Sequence, residues 1–362
     1  MQRQPQNSLT RPSLPRLPKG GRRRRFASPR AAFTLVEMMV VVVIIAILAG
    51  LLLPALRRVQ ITANEAKVIT EIKGLESGVA AFKAKYGVEP PSKFILYLTQ
   101  AGWNNDPTNM AIMRQIWPQF DFTMGAGAGT TFPSYWNTIS VQVGGNPALP
   151  MNSGECLLFF LGGVIPVQGQ NQLPTGFAKN PAYPFSPPSA NSNREGPFFE
   201  FTAIERVKDI DGNGINEWYD SLPNQLHPYL YFSSYEGRGY NLAELPTDSG
   251  ATTFGIYNSS GTLIVNCIHD IYRVSSSMVS PPKAPGSAST SGTSAAINLA
   301  YNSNAQKPQS FQIISPGYDG EYGSGGVFNV NLPNSGLVDG NGNPDLNAYD
   351  NLTNFNGGRL KP

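Results

Sequence analysis

Two cysteines, Cys156 and Cys267, and two histidines, His227 and His269, are all that 362 residues supply of either type. The two cysteines are too few and too far apart in sequence for a metal cluster or a disulfide scaffold. They leave open one disulfide or two separate buried thiols. Charge is also scarce, at 14% of residues, and no acidic residue precedes Glu37. Residues 1–32 carry nine basic side chains, so 18 of the 27 basic residues face 24 acidic ones in the remainder, which is therefore about −6. A basic face for nucleic acid disappears once that leader is set aside. Catalytic constellations are missing too. Neither histidine has a serine or cysteine elbow beside it, and Glu155, Glu200, Glu205 and Asp209 show no spacing that makes a carboxylate dyad. "GAGAG" at Gly125 lacks the Lys-Ser/Thr of a phosphate loop and reads as a flexible loop. The expectation is a protein that is not an enzyme.

What the chain has in excess is glycine and proline, 37 and 31 residues, and one long apolar run. From Phe33 to Leu53 only Thr34, Glu37 and Gly50 fall outside the strongly apolar and alanine set. At about 1.5 Å per residue the run is roughly 31 Å long, enough to cross a bilayer core. The arginine-rich leader before it holds the N-terminal side in the cytoplasm. A cleaved signal peptide fits poorly, because the run is too long and no small-x-small site closes it. Beyond Pro54 the apolar positions Leu56, Val59, Ala63, Ala66, Ile69, Ile72, Leu75, Val79, Phe82 and Tyr86 step by three or four. The spacing predicts one helix over residues 33–86, apolar all round over 33–53 and amphipathic over 54–86, with a gentle bend at Gly74 and Gly78. Gly87, Pro90 and Pro91 end it.

"AFTLVEMMVVVVIIAILAGLLLPAL" resembles the N-terminal segment of type IV pilins and of the pseudopilins of type II secretion systems. The resemblance implies cleavage between Ala32 and Phe33 by a membrane-bound prepilin peptidase, with N-methylation of Phe33. Ala32 stands where the family usually has glycine. It also implies roles in assembly for Glu37 and Pro54, fifth and twenty-second in the mature chain. In the filament Glu37 would face the N-terminal amine of a neighbouring copy, which removes the roughly 3 kcal/mol that an unpaired carboxylate costs at membrane depth. "ANEAKVITEIKGLESGVAAFKAKYGVEPPS" resembles the major (G-type) pseudopilin more specifically, with its Tyr-Gly end followed by Pro-Pro. The resemblance covers residues 31–92.

Residues 93–200 are rich in glycine, proline, asparagine and aromatics and read as a loop-rich insertion on the exposed side, with one apolar piece at "ECLLFFLGGVI". "PPKAPGSASTSGTSA" from Pro281 reads as a linker-like loop tip. Strands are predicted at residues 228–236, 252–257, 262–274 and 310–317. Residues 201–362 would then form an antiparallel sheet domain packed on the amphipathic half of the helix, an α+β, pilin-like fold.

Two acidic loops carry candidate chemistry. "DIDGNGINEWYD" places the oxygens of Asp209, Asp211, Asn213 and Asp220 at positions 1, 3, 5 and 12 with Gly214 at position 6, the spacing of a calcium loop, though without its terminal glutamate or helical flanks. "DGNGNPDLNAYD", residues 339–350, repeats the alternation but has Pro344 where glycine is wanted. Asx turns without metal are the alternative for both. In addition, "FQIISPGYDGEYG" and "YDNLTNF" look like the two ends of the calcium loop of major pseudopilins, which implies Asp319 and Asp350 as side-chain ligands. The expected cofactor is calcium. The first functional expectation is a pseudopilin that polymerises into a periplasmic fibre for type II secretion. A type IV pilin or minor pilin of a surface fibre is the second, and a membrane-anchored periplasmic binding domain or enzyme the third. The implied partners are the prepilin peptidase, further copies of the chain, other pseudopilins, inner-membrane assembly proteins and the membrane itself, but not nucleic acid.

Overall fold

A computed structural model describes residues 34–123, 148–165, 173–186, 193–235, 237, 239–240, 255–257, 263–266, 270–275, 304–339 and 341–361. The chain divides into two units, Met1–Arg57 and Arg58–Pro362. One helix, α1, runs over Leu35–Tyr86 and contains Pro54 without a break. The expected long helix is therefore present, and Phe33 lies outside the described residues. In the first unit every apolar side chain from Leu35 to Leu53 is exposed, so this stretch finds no partner within its own unit. It is the one described helix long and apolar enough to cross a membrane.

In the second unit α1 buries a single stripe, Val68, Ile72, Leu75, Gly78, Val79 and Phe82, whose three- and four-residue steps keep one face inward. Gly74 and Gly78 serve close approach here. A Cβ on Gly74 would lie 2.9 Å from the Phe199 ring, and one on Gly78 would lie 3.1 Å from the Phe198 carbonyl oxygen.

The expected sheet shares the core of that stripe through Tyr231, Phe311 and Ile313, but it is not the stripe's sole partner. Residues 93–200 are not a peripheral insertion, because their described part builds much of the same core. Strand β1 (Phe94–Tyr97) pairs antiparallel with β2 (Ala148–Met151). Helices α2 (Gln100–Asn105) and α3 (Pro107–Ile116) start at the caps Thr99 and Asp106. Helix α4 (Ser153–Gly162) is buried along its whole length. It opens with a reciprocal capping box between Asn152 and Glu155, which satisfies donors that a buried helix start would otherwise orphan. Phe82 of α1 meets Phe160 of α4 edge-on at 5.9 Å, and Phe160 meets Phe94 at 5.6 Å. Trp103, Met113 and Trp117 join the same core.

The remaining strands do not form one antiparallel sheet. A three-stranded sheet runs in the order β13 (Leu352–Thr353), β11 (Phe311–Ser315), β7 (Leu230–Ser233), all antiparallel. The other strands pair off: β3 (Phe177–Ala178) with β4 (Arg194–Glu195), β5 (Val207–Lys208) with β6 (Glu217–Trp218), β8 (Gly255–Tyr257) with β9 (Leu263–Asn266). Strand β10 (Asp270–Arg273) pairs with β12 (Gly325–Val327) in parallel. The stretch 262–274, expected as one strand, thus contributes to two different pairs. Every residue of β7 and β11 is buried, because this sheet has a core on each side. Tyr231, Phe311 and Ile313 join the α1–α4 core, while Leu230, Phe232 and Ile314 join a second one with Tyr240, Tyr272, Tyr322 and Phe328. Alternate side chains of one strand thus fill two cores.

Candidate functional site

The loop between β5 and β6 is wound by its own side chains. Asp209 accepts from the amides of Gly212 (2.7 Å) and Gly214 (2.9 Å), Asp211 from that of Asn213 (3.1 Å), and Asn213 from that of Ile215 (2.8 Å). Gly212 and Gly214 take φ of +75° and +91°, a region in which a Cβ is strained. This winding delivers Asp211 beside Glu217 of β6 and Glu155 of α4. One ligand oxygen from each of the three lies within 4.8 Å of the others, and among the described residues no other trio of acidic, histidine or cysteine side chains does so.

Glu155 and Glu217 are completely buried. Asn152 ties them together, its side-chain amide donating to Glu217 Oε1 (3.1 Å) and its backbone amide to Glu155 Oε2 (2.5 Å). The Asn213 side-chain amide donates to Glu155 Oε1 (2.6 Å), and the Ile210 backbone amide to Glu217 Oε2 (3.1 Å). Burial first, then the facing carboxylates, raise Glu155 and Glu217 well above the ordinary carboxylate range. Asp211 is pushed up to about 6 by burial and by Asp209. The three carboxylates are a hard-oxygen donor set of the kind calcium takes, and a cation there offsets both burial and mutual repulsion. The Asn152 and Asn213 side chains face them with NH2 groups, while their Oδ1 atoms accept from backbone amides.

Of the loop residues expected as ligands, Asp211 sits in this cluster, with Asn213 against it. Asp209 is spent on the loop backbone. Asp220 is elsewhere: it is buried and accepts from Ser315 Oγ (2.5 Å), Gln225 Nε2 (3.0 Å) and the Leu222 amide (2.9 Å). The end of the loop turns into the β6–β7 connection, so its twelfth residue points at β11 instead. Glu217, at position 9, takes its place. Glu155 comes from a segment 54 residues before the loop, which no local spacing reveals. Its one sequence signal is a carboxylate opening an apolar run three residues after Asn152.

The same hairpin grips α1. Glu71 accepts from the Arg206 guanidinium, from Trp218 Nε1 (3.1 Å) and from the Tyr229 hydroxyl (2.9 Å). Arg206 also lies over the Trp218 ring, 4.1 Å from its centroid. Trp218 directly follows the cluster residue Glu217, so the acidic cluster and the contact with α1 are neighbours on one strand.

Asp319 and Asp350 do come together. Asp350 accepts from the amides of Tyr318 (2.6 Å) and Asp319 (3.0 Å), and its other carboxylate oxygen is buried without a partner among the described residues. Burial raises both, Asp319 to about 6. Asp339 in the intervening segment accepts from the amides of Asn341 (2.9 Å) and Asn343 (2.8 Å), an Asx-type turn. His227 sits against the Gly320 carbonyl and stacks on Tyr322. Cys156 is buried, but Cys267 lies outside the described residues, as do His269, the Gly125 loop and the Pro281 segment.

At the other end of the chain, Ala32 and Phe33 fall outside the described residues. Glu37 opens α1 in a capping box: Thr34 donates to its Oε2 from both backbone amide and hydroxyl (2.8 Å each), and the Glu37 amide donates back to Thr34 Oγ1 (3.2 Å). Pro54 is accommodated inside the helix. Residues 28–53 match the family model of the prokaryotic N-terminal methylation motif. No curated protein and no solved structure matches the chain. The motif together with the long apolar helix is type IV pilin-like and fits a single-pass membrane anchor.

Proposed function

We propose that the chain is a structural pseudopilin subunit of a type II secretion system. It is cut between Ala32 and Phe33 by a prepilin peptidase and methylated on Phe33. It is held in the inner membrane with its C-terminal unit in the periplasm, and assembles through α1 into a short fibre with further copies, other pseudopilins and inner-membrane assembly proteins. The observation that carries this reading is the methylation motif running straight into one unbroken helix whose first half is apolar on every side. Intact mass of the chain from a peptidase-positive strain is expected to begin at N-methyl-Phe33; retention of residues 1–32 would refute processing.

Glu37 tests assembly separately. Replacing it with alanine makes the segment more apolar, so insertion persists, while the charge that aligns an incoming subunit is lost. Glu37→Ala is expected to be processed normally and to yield no fibres by electron microscopy; fibres at the wild-type level would rule out the paired-charge role.

We propose further that Asp211, Glu217 and Glu155 hold a calcium ion in the C-terminal unit, with Asp319 and Asp350 as a separate candidate. Bound there, calcium offsets two of the three carboxylate charges and ties the β5–β6 loop to α4. What supports this is the convergence of hard oxygens from two distant segments within 4.8 Å.

A further inference from the structure

We infer that Arg57 and Arg58 form an anchor for lipid phosphates, set where α1 leaves the membrane at the end away from the leader. The inference rests on the reading that α1 crosses a membrane, and goes beyond it by naming what holds the helix at its depth.

Between Arg30 and Arg57 the sequence has no basic residue, and the only charge between them is Glu37. Two arginines then arrive together. Arg57 lies four residues past Leu53, so about 6 Å beyond the apolar run at 1.5 Å per residue, which is headgroup depth. Both are exposed, and neither has an ion pair or side-chain hydrogen bond among the described residues. The chain offers them little to pair with. The first acidic residue after them, Glu65, is taken by Arg359, and the next, Glu71, by Arg206. Two adjacent exposed guanidiniums without an internal counter-charge are free to take an external one. At that depth the abundant anion is the lipid phosphate, whose oxygens match the planar fork of arginine in paired hydrogen bonds. Val59 and Ile61 follow on the same helix, exposed at 65% and 36%, and suit the boundary between acyl chains and water. Arginine at the margin of a span snorkels outward, which resists sliding of the helix in either direction.

The test uses the full, peptidase-processed chain with ¹³C-labelled arginine in bilayers of phosphatidylethanolamine and phosphatidylglycerol. All its other arginines lie at position 114 or later. Solid-state ³¹P dephasing of the guanidinium carbon is expected in the wild-type chain and is expected to be lost in the Arg57→Gln/Arg58→Gln double variant. No dephasing in the wild type, or equal dephasing in the variant, overturns the anchor. So does an arginine contact that appears only in assembled fibres, since it assigns the pair to a neighbouring subunit. An alkaline wash of the same vesicles separates the two readings. Chain lost from the vesicles means the span itself has failed, and chain retained without ³¹P contact means the anchor alone has failed.

Discussion

Glu71→Ala is expected to lower the stability of the C-terminal unit by about 3 kcal/mol, the low end of what removing one partner of a buried ion pair costs. The change strands three donors at once. The Arg206 guanidinium, Trp218 Nε1 and the Tyr229 hydroxyl all point at one carboxylate, and the Glu71 and Arg206 side chains are only 11% and 19% exposed. Water reaches them poorly, so the loss is not screened as at a surface pair. The Tyr229 hydroxyl, raised well above its usual range by burial and by Glu71, stays protonated and donates to Glu71. Glu71→Gln keeps an acceptor oxygen but not the charge, and is expected to lose less, about 1 to 2 kcal/mol. Urea unfolding of a chain beginning at Arg58, which leaves the second unit whole, measures both. A loss below about 0.5 kcal/mol for Glu71→Ala, the size of an ordinary surface substitution, would mean that the hairpin does not depend on α1.

This residue also marks where sequence reading stops. Helix α1 is legible because its period persists for more than 50 residues and because an apolar run of that length has few alternatives. Glu71 reads only as one charge on the polar face, since its three partners are 135 or more residues away. Helix α4 is missed for the opposite reason: apolar all round and ten residues long, it has no period to read. The strands β7 and β11 are found through their β-branched and aromatic content, but the second core behind them is supplied by residues scattered from Tyr240 to Leu360. At the acidic cluster the spacing points to Asp211 and Asn213, also to Asp209 and Asp220, which the structure places on the loop backbone and against Ser315, and is silent on Glu155 and Glu217. Loop spacing records side chains from one segment, and this cluster draws on two.

Calcium is expected to raise the melting temperature of the Arg58–Pro362 unit, and the shift is expected to grow with pH. Without metal, Glu155 and Glu217 are raised well above the ordinary range and Asp211 is raised to about 6. Carboxyls with a raised folded-state pKa bind protons more tightly folded than unfolded. Their contribution is whole below the unfolded values near 4 and is lost as pH rises through the folded ones. In EGTA the melting temperature is therefore expected to fall between pH 5 and pH 7.5 at these groups. A cation replaces the protons, and at 100 times its dissociation constant adds about 2.7 kcal/mol, which corresponds to a shift on the order of 5 °C in a domain this large. Calcium is accordingly expected to flatten the pH dependence and to act weakly at pH 5, where protons compete for the same oxygens. Magnesium substitutes poorly, because it gives up its waters reluctantly. Glu217→Gln removes a ligand charge from the β5–β6 site, and Asp319→Ala does so at the Asp319–Asp350 pair, so calorimetry of the two assigns the response. If the calcium shift survives Glu217→Gln and vanishes with Asp319→Ala, the ion belongs to the C-terminal pair. If neither EGTA nor either substitution moves the melting temperature, the β5–β6 loop is an Asx-turn loop whose buried glutamates remain protonated.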